Sequence, residues 1–174
     1  SYDENRHFFL SYYFRDNYEQ AMTALPYIAS GVTINRIEVW VTNKRGNYDE
    51  ARNVVALTDL GEYDPSHIQN PQWQTVGARS PYNKANSLYA TLTQDNPAVR
   101  DIQQVSSVMQ GIAGMDAGED YEKIESARLL KSSEYTLNAA LGYISLKAAL
   151  NQDEVLAVAY EYTYAGQVYQ VGEF

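Results

Sequence analysis

The sequence predicts an α+β fold: an antiparallel β-sheet or sandwich with a short N-terminal helix and a central two-helix insertion packed on one face. Three observations carry this. Residues 31–62 alternate apolar and polar in the manner of strands, residues 83–114 place apolar side chains at helical spacing, and residues 121–174 return to strand periodicity.

At the N-terminus, Phe8-Phe9-Leu10 and Tyr12-Tyr13-Phe14 are too densely aromatic for a loop and read as a first strand. Asp16 with Glu19 three residues on resembles a capping box. Tyr18, Ala21, Met22 and Leu25 then form one helical stripe that Pro26 ends. Residues 31–62 follow as a β-hairpin on which the rest is expected to pack. Ile37, Val39 and Val41 alternate with Glu38, Trp40 and Thr42, while Val32 and Ile34 run in the opposite phase. The slip at Asn35–Arg36 predicts a bulge that re-aims Arg36. Gly46, Asn47 and Asp49 supply the turn, and residues 54–57 are apolar on both faces, as in a strand covered on both sides. Trp40 reads as a core anchor, with a stacking platform for a ligand as the other reading.

Residues 63–82 are rich in Pro, Asn, Gln and Ser and show no period. A loop that long in a small domain is either functional or tied down by packing. It contains the candidate partner contacts His67, Trp73 and Tyr82. Two helices come next. Ser80-Pro81 can open the first, with Ala85, Leu88, Tyr89 and Leu92 on one face. Asn96-Pro97 opens the second, with Ile102, Val105, Met109 and Ile112 in line and Gly111 and Gly114 at its end. Asp116, Glu119, Asp120, Glu122 and Glu125 then concentrate acid, but their spacing does not match a calcium-binding EF-hand loop, and a solvated acidic turn is expected. In the last third, Ile124, Ser126, Arg128 and Leu130 share one face of a strand, with a helix as the alternative. Residues 141–146 form another strand. Leu156, Val158, Tyr160 and Tyr162 line one side of a third, which turns at Ala165-Gly166 into a final one.

At 174 residues the chain is long enough for one domain that buries about 70% of its unfolded surface. A net charge of −9 argues against nucleic acid and anionic membranes as partners. With no cysteine there are no disulfides, and no apolar run is long enough to span a membrane as a helix. Nucleophilic catalysis needs a base beside the nucleophile; His7 and His67 stand in unrelated settings without a motif. Zinc and phosphate motifs are absent too, so neither an enzyme nor a bound metal or cofactor is expected. The chain opens at Ser1 and stops at Phe174 inside a strand-like pattern, so both ends are expected to be cuts within a longer protein.

Several strings, taken in order, resemble the SprA/Sov family. They are His7-Phe8-Phe9-Leu10, residues 13–19, Gly31-Val32-Thr33-Ile34, residues 36–43, residues 52–56 and Asp59-Leu60-Gly61-Glu62, then Tyr135-Thr136-Leu137-Asn138, residues 141–146, residues 153–162 and residues 169–174. That family is the giant outer-membrane β-barrel translocon of type IX protein secretion, also required for gliding motility. The resemblance implies a structural and interaction module of a cell-surface outer-membrane protein. Its partners would be secreted cargo, accessory translocon subunits and the rest of its own barrel, with no catalytic residues to carry over. Barrel wall would need many repeated ten-residue amphipathic strands. The segment is therefore expected on the extracellular or periplasmic side, not within the membrane. The alternative, from the tyrosine-rich acidic composition and Trp73 in a long loop, is a carbohydrate-binding module.

Overall fold

In the computed structural model, residues 5–46 and 49–174 are described, and the expected turn position Asn47 lies outside them. The fold is mostly antiparallel β with a few short helices, as the α+β reading expects. The chain divides into two compact units, residues 1–41 with 129–174, and residues 42–128.

The first unit holds β1 (His7–Phe9), α1 (Tyr12–Asp16), α2 (Tyr18–Ala21) and β2 (Val32–Val41). The end of the chain supplies the rest of its strands. One sheet has the order β1, β6 (Tyr143–Leu146), β5 (Tyr135–Asn138). In the other, β2 pairs with β7 (Leu156–Tyr164), which pairs with β8 (Gln167–Val171). Val39, Val41, Leu156 and Val158 of the second sheet pack with Phe8, Ile144, Leu146 and Leu137 of the first, giving a sandwich core. The expected bulge is present. The β2–β7 register shifts between Ile34 and Arg36, so Ile34 sits opposite Tyr162 while Ile37 sits opposite Tyr160. One extra residue thus keeps Val32, Ile34, Ile37, Val39 and Val41 on the same face despite the slip in sequence phase. Arg36 is re-aimed onto the ring of Phe174, with its guanidinium carbon 3.9 Å from the centroid. Trp40 is buried, at 6% exposure.

Two expectations fail in this unit. Tyr12, Tyr13 and Phe14 are helical, not strand: they start α1, and the aromatic density serves packing of Phe14 against Tyr160 and Tyr162 at ring separations of 6.1 and 5.5 Å. The single helix expected from Asp16 to Leu25 is instead two short ones broken at Asn17, whose side-chain amide donates to the Tyr13 carbonyl at 2.7 Å. Such local side-chain bonds compete with helix propagation.

The second unit begins after β2 and contains β3 (Ala51–Leu57), α3 (Leu88–Thr93), α4 (Val105–Gln110) and β4 (Tyr121–Leu129). β3 pairs with β4 and β2 with β7, so residues 31–62 are not the two arms of one hairpin. Nor is β3 buried on both faces; residues 54–57 are half-buried, with Val55 and Leu57 turned to the core. The helical insertion does pack on one face of this ladder. Leu88, Leu92, Val105 and Met109 form a cluster with Trp73, Met115 and Tyr121. Both helices are shorter than their apolar stripes. The stretch from Pro97 to Arg100 is a 3₁₀ turn, because Asp101 accepts from the Gln103 N–H and Gln104 Nε2 at 3.0 Å each and restarts the chain before α4. In β4 the simple alternation also breaks. Ser126 has φ 50, its N–H donates to Asn53 Oδ1 at 2.9 Å, and the buried positions become Ile124 and Ala127. Among the described residues no helix is long and apolar enough to cross a membrane.

Candidate functional site

The long aperiodic loop is tied down around Asp59, which the sequence did not single out. Asp59 ends the run from β3 and is 2% exposed. Its Oδ1 accepts from the Gln69 N–H at 2.9 Å, and its Oδ2 accepts from the Asn70 N–H at 3.1 Å and from Trp73 Nε1 at 2.9 Å. Its carbonyl accepts from Asn86 Nδ2 at 2.6 Å and from the Glu62 N–H at 3.0 Å. A buried carboxylate is tolerated when its lone pairs meet donors in this way.

Two buried asparagines extend the brace. Asn70 Oδ1 accepts from the Gln72 N–H at 2.9 Å, which caps the 3₁₀ turn Pro71–Trp73, while its Nδ2 donates to the Gly114 carbonyl. Asn86 Oδ1 accepts from the Leu88 N–H at 2.9 Å at the start of α3. Further along, Thr75 Oγ1 donates to the Ala85 carbonyl at 3.1 Å, and the Ser87 N–H to the Trp73 carbonyl at 3.1 Å. The loop thus belongs to the packed kind, its backbone groups answered by side chains.

Of the expected contact residues, Trp73 is placed against expectation. It is 1% exposed and lies among Leu88, Leu92, Val105 and Met109, because its indole N–H finds an acceptor in Asp59 only when the ring is buried. It offers no face to a sugar or a protein. Tyr82 is half-buried in the turn before α3, where its carbonyl accepts from the Ala85 N–H at 2.9 Å. His67 closes the 3₁₀ turn Pro65–His67 with its side chain 34% exposed, Nδ1 lying 3.8 Å from Glu62 Oε1 and 3.9 Å from Asp64 Oδ2. With Trp73 buried, the three do not make one surface.

The carboxylates beside His67 differ in environment. Asp64 accepts from the Ser66 N–H and hydroxyl at 2.9 and 2.8 Å, and these bonds hold its carboxyl below the usual range. Burial pushes Glu62 up, although its Oε1 accepts from the Asp64 N–H at 3.1 Å and His67 stands near. A raised carboxyl pKa means the folded state holds that proton more tightly than the unfolded chain. Glu62 therefore contributes stability below the ordinary glutamate range, and that contribution is lost as pH rises through its raised native value. Glu62→Gln is expected to match or exceed the wild type in urea midpoint at neutral pH and to lose this fall. Urea titrations across a pH series check it. A variant that is less stable at neutral pH with the pH slope unchanged would contradict the assignment.

In the acidic stretch, Asp116, Glu119, Glu122 and Glu125 are exposed as expected, but Asp120 is not solvated. It is 3% exposed and its Oδ2 accepts from the Asp116 N–H at 2.7 Å, closing a turn. Thr58 donates to this turn twice, from its N–H to the Asp120 carbonyl at 3.0 Å and from Oγ1 to the Glu119 carbonyl at 2.6 Å. Among the described residues no group of three or more His, Asp and Glu could hold a metal ion. His7 lies in the other unit, where Nδ1 is 2.7 Å from Ser145 Oγ as an exposed cross-strand pair of β1 and β6.

No protein-family model matches the chain, and no curated protein matches it.

Proposed function

We propose that this chain is a non-catalytic structural and interaction module of the outer-membrane translocon of type IX protein secretion. In that role it shapes the pore or contacts cargo or accessory subunits from the extracellular or periplasmic side. The observation that carries the structural half is Asp59. The most buried acid among the described residues is occupied by N–H donors of its own loop, so Asp59 braces the backbone and is not free to act as a general base. The translocon half rests on the resemblance to the SprA/Sov family. The strings that carry it include positions with clear structural work here: Arg36 beside the β2 bulge, Asp59 in the brace, and Tyr160 and Tyr162 in β7. The carbohydrate-binding alternative rests on the tyrosine-rich acidic composition and on Trp73, and the burial of that ring removes the second of these supports.

Deleting residues 1–174 from the full-length protein is expected to block export of type IX cargo while the protein still reaches the outer membrane. Cargo in the culture supernatant and translocon in membrane fractions are the two readouts. Normal export from a strain carrying the deletion would refute the proposal.

A further inference from the structure

β8 is an edge. It pairs with β7 on one side, and among the described residues no strand lies on its other side. The connecting turn is Ala165-Gly166 with φ 51 and 76, a two-residue turn of the type that closes on a hydrogen-bonded pair. Tyr164–Gln167, Tyr162–Tyr169 and Tyr160–Val171 are then the pairs that exchange both backbone bonds. Val168 and Gln170 between them turn their N–H and C=O outward.

Edges in soluble folds are usually blunted by charge, proline, bulges or shortness. The other edges here follow that rule. β3 carries Arg52 and a register shift between Arg52 and Val54; β1 spans three residues and β5 four. β8 has none of these devices. It reads Gln-Val-Tyr-Gln-Val, uncharged and without proline, and Val168 is 63% exposed.

We propose that β8 is a strand-addition site whose occupant is β8 of a second copy of this chain, paired antiparallel about a two-fold axis at Tyr169. The sequence itself argues for that occupant. A two-fold at Tyr169 sets Val168 opposite Gln170 of the second copy. These are the two residues with outward backbone groups, so each pair can exchange both N–H···O=C bonds. Gln167 falls opposite Val171, and no charged residue of the strand meets another. The contact is isologous, so it uses up both edges and closes at a dimer. Its small area makes it a weak, concentration-dependent one.

Sedimentation velocity over a rising concentration series tests this. The wild-type mass is expected to climb from 19.7 kDa toward twice that value. Val168→Pro deletes an outward N–H without touching the β7 ladder. It is expected to stay at the monomer mass with an unchanged far-UV circular dichroism spectrum. Val168→Lys, which leaves the backbone intact and adds an edge charge, is expected to do the same, and it decides the matter if the proline variant does not fold. A wild type that remains at the monomer mass throughout overturns the proposal. So does a dimer that persists in either folded variant.

Discussion

Asp59→Ala is expected to lower the stability of the second unit by more than about 3 kcal/mol, because each buried donor left unsatisfied costs about 1–3 kcal/mol. The substitution orphans the N–H groups of Gln69 and Asn70 and the indole N–H of Trp73 together. Loss of the buried charge offsets part of this, since the carboxylate itself was costly to desolvate. It does not offset most of it, because the Asn70 N–H and the Trp73 indole N–H stay buried, while the Gln69 N–H, part-buried, adds the smallest share. The total is large against the roughly 5–15 kcal/mol that holds a domain together. Asp59→Asn separates the terms: it keeps the shape and one acceptor oxygen but turns an amide toward a donor, so it should fall between wild type and alanine. Urea midpoints measure the loss, and amide exchange localises it, with residues 58–87 losing protection before the β2–β7 ladder does. A loss below about 1 kcal/mol, the worth of a single ordinary hydrogen bond, would mean the loop is held by its apolar contacts instead.

That brace was out of reach of sequence reasoning for a definite reason. Asp59 collects donors ten to fourteen residues downstream in a stretch with no period, and nothing in the residue types marks which acid turns inward. What could be read was whatever depended on a local repeat. The phase slip at Asn35–Arg36 is visible because five apolar residues need one face, and the bulge is the only way to give it to them. The stripes through Leu88 and Leu92, and through Val105 and Met109, named core residues correctly even where the helices proved short. Pairing partners were another matter. β2 and β3 are neighbours in sequence and look complementary, yet β2 takes β7 and β3 takes β4. Side-chain alternation fixes which face a strand buries and carries no information about its neighbour. Helix ends are not legible from a stripe where Asn17 and Asp101 redirect the backbone through their own hydrogen bonds. Trp73 reads as a candidate partner contact from its place in an aperiodic stretch, and the acceptor that allows its burial, Asp59, lies outside that stretch.

Gly142→Ala is expected to destabilise the first unit by at least about 3 kcal/mol, the scale of losing a well-packed core aromatic. Gly142 has φ +70, where a side chain costs roughly 1–2 kcal/mol on its own. The larger effect is steric. A Cβ at this position would overlap the ring carbons of Phe14, a residue that is 4% exposed and boxed in by Tyr13, Tyr160 and Tyr162. The ring cannot retreat without giving up those edge contacts, worth about 0.5–1.5 kcal/mol each beyond area. The backbone cannot retreat easily either, since the Gly142 carbonyl accepts from the Leu10 N–H and its N–H donates to the Asn138 carbonyl, both at 2.9 Å. Gly166→Ala is the control. Gly166 has φ +76 but open space around it, so it should show the backbone cost alone. The difference in urea midpoint between the two variants then measures the clash. Phe14→Ala should be strongly destabilising by itself, and adding Gly142→Ala to it should cost little more than Gly166→Ala does, because the obstacle has gone. Additive losses from Gly142→Ala and Phe14→Ala would show that the ring is not what confines this glycine.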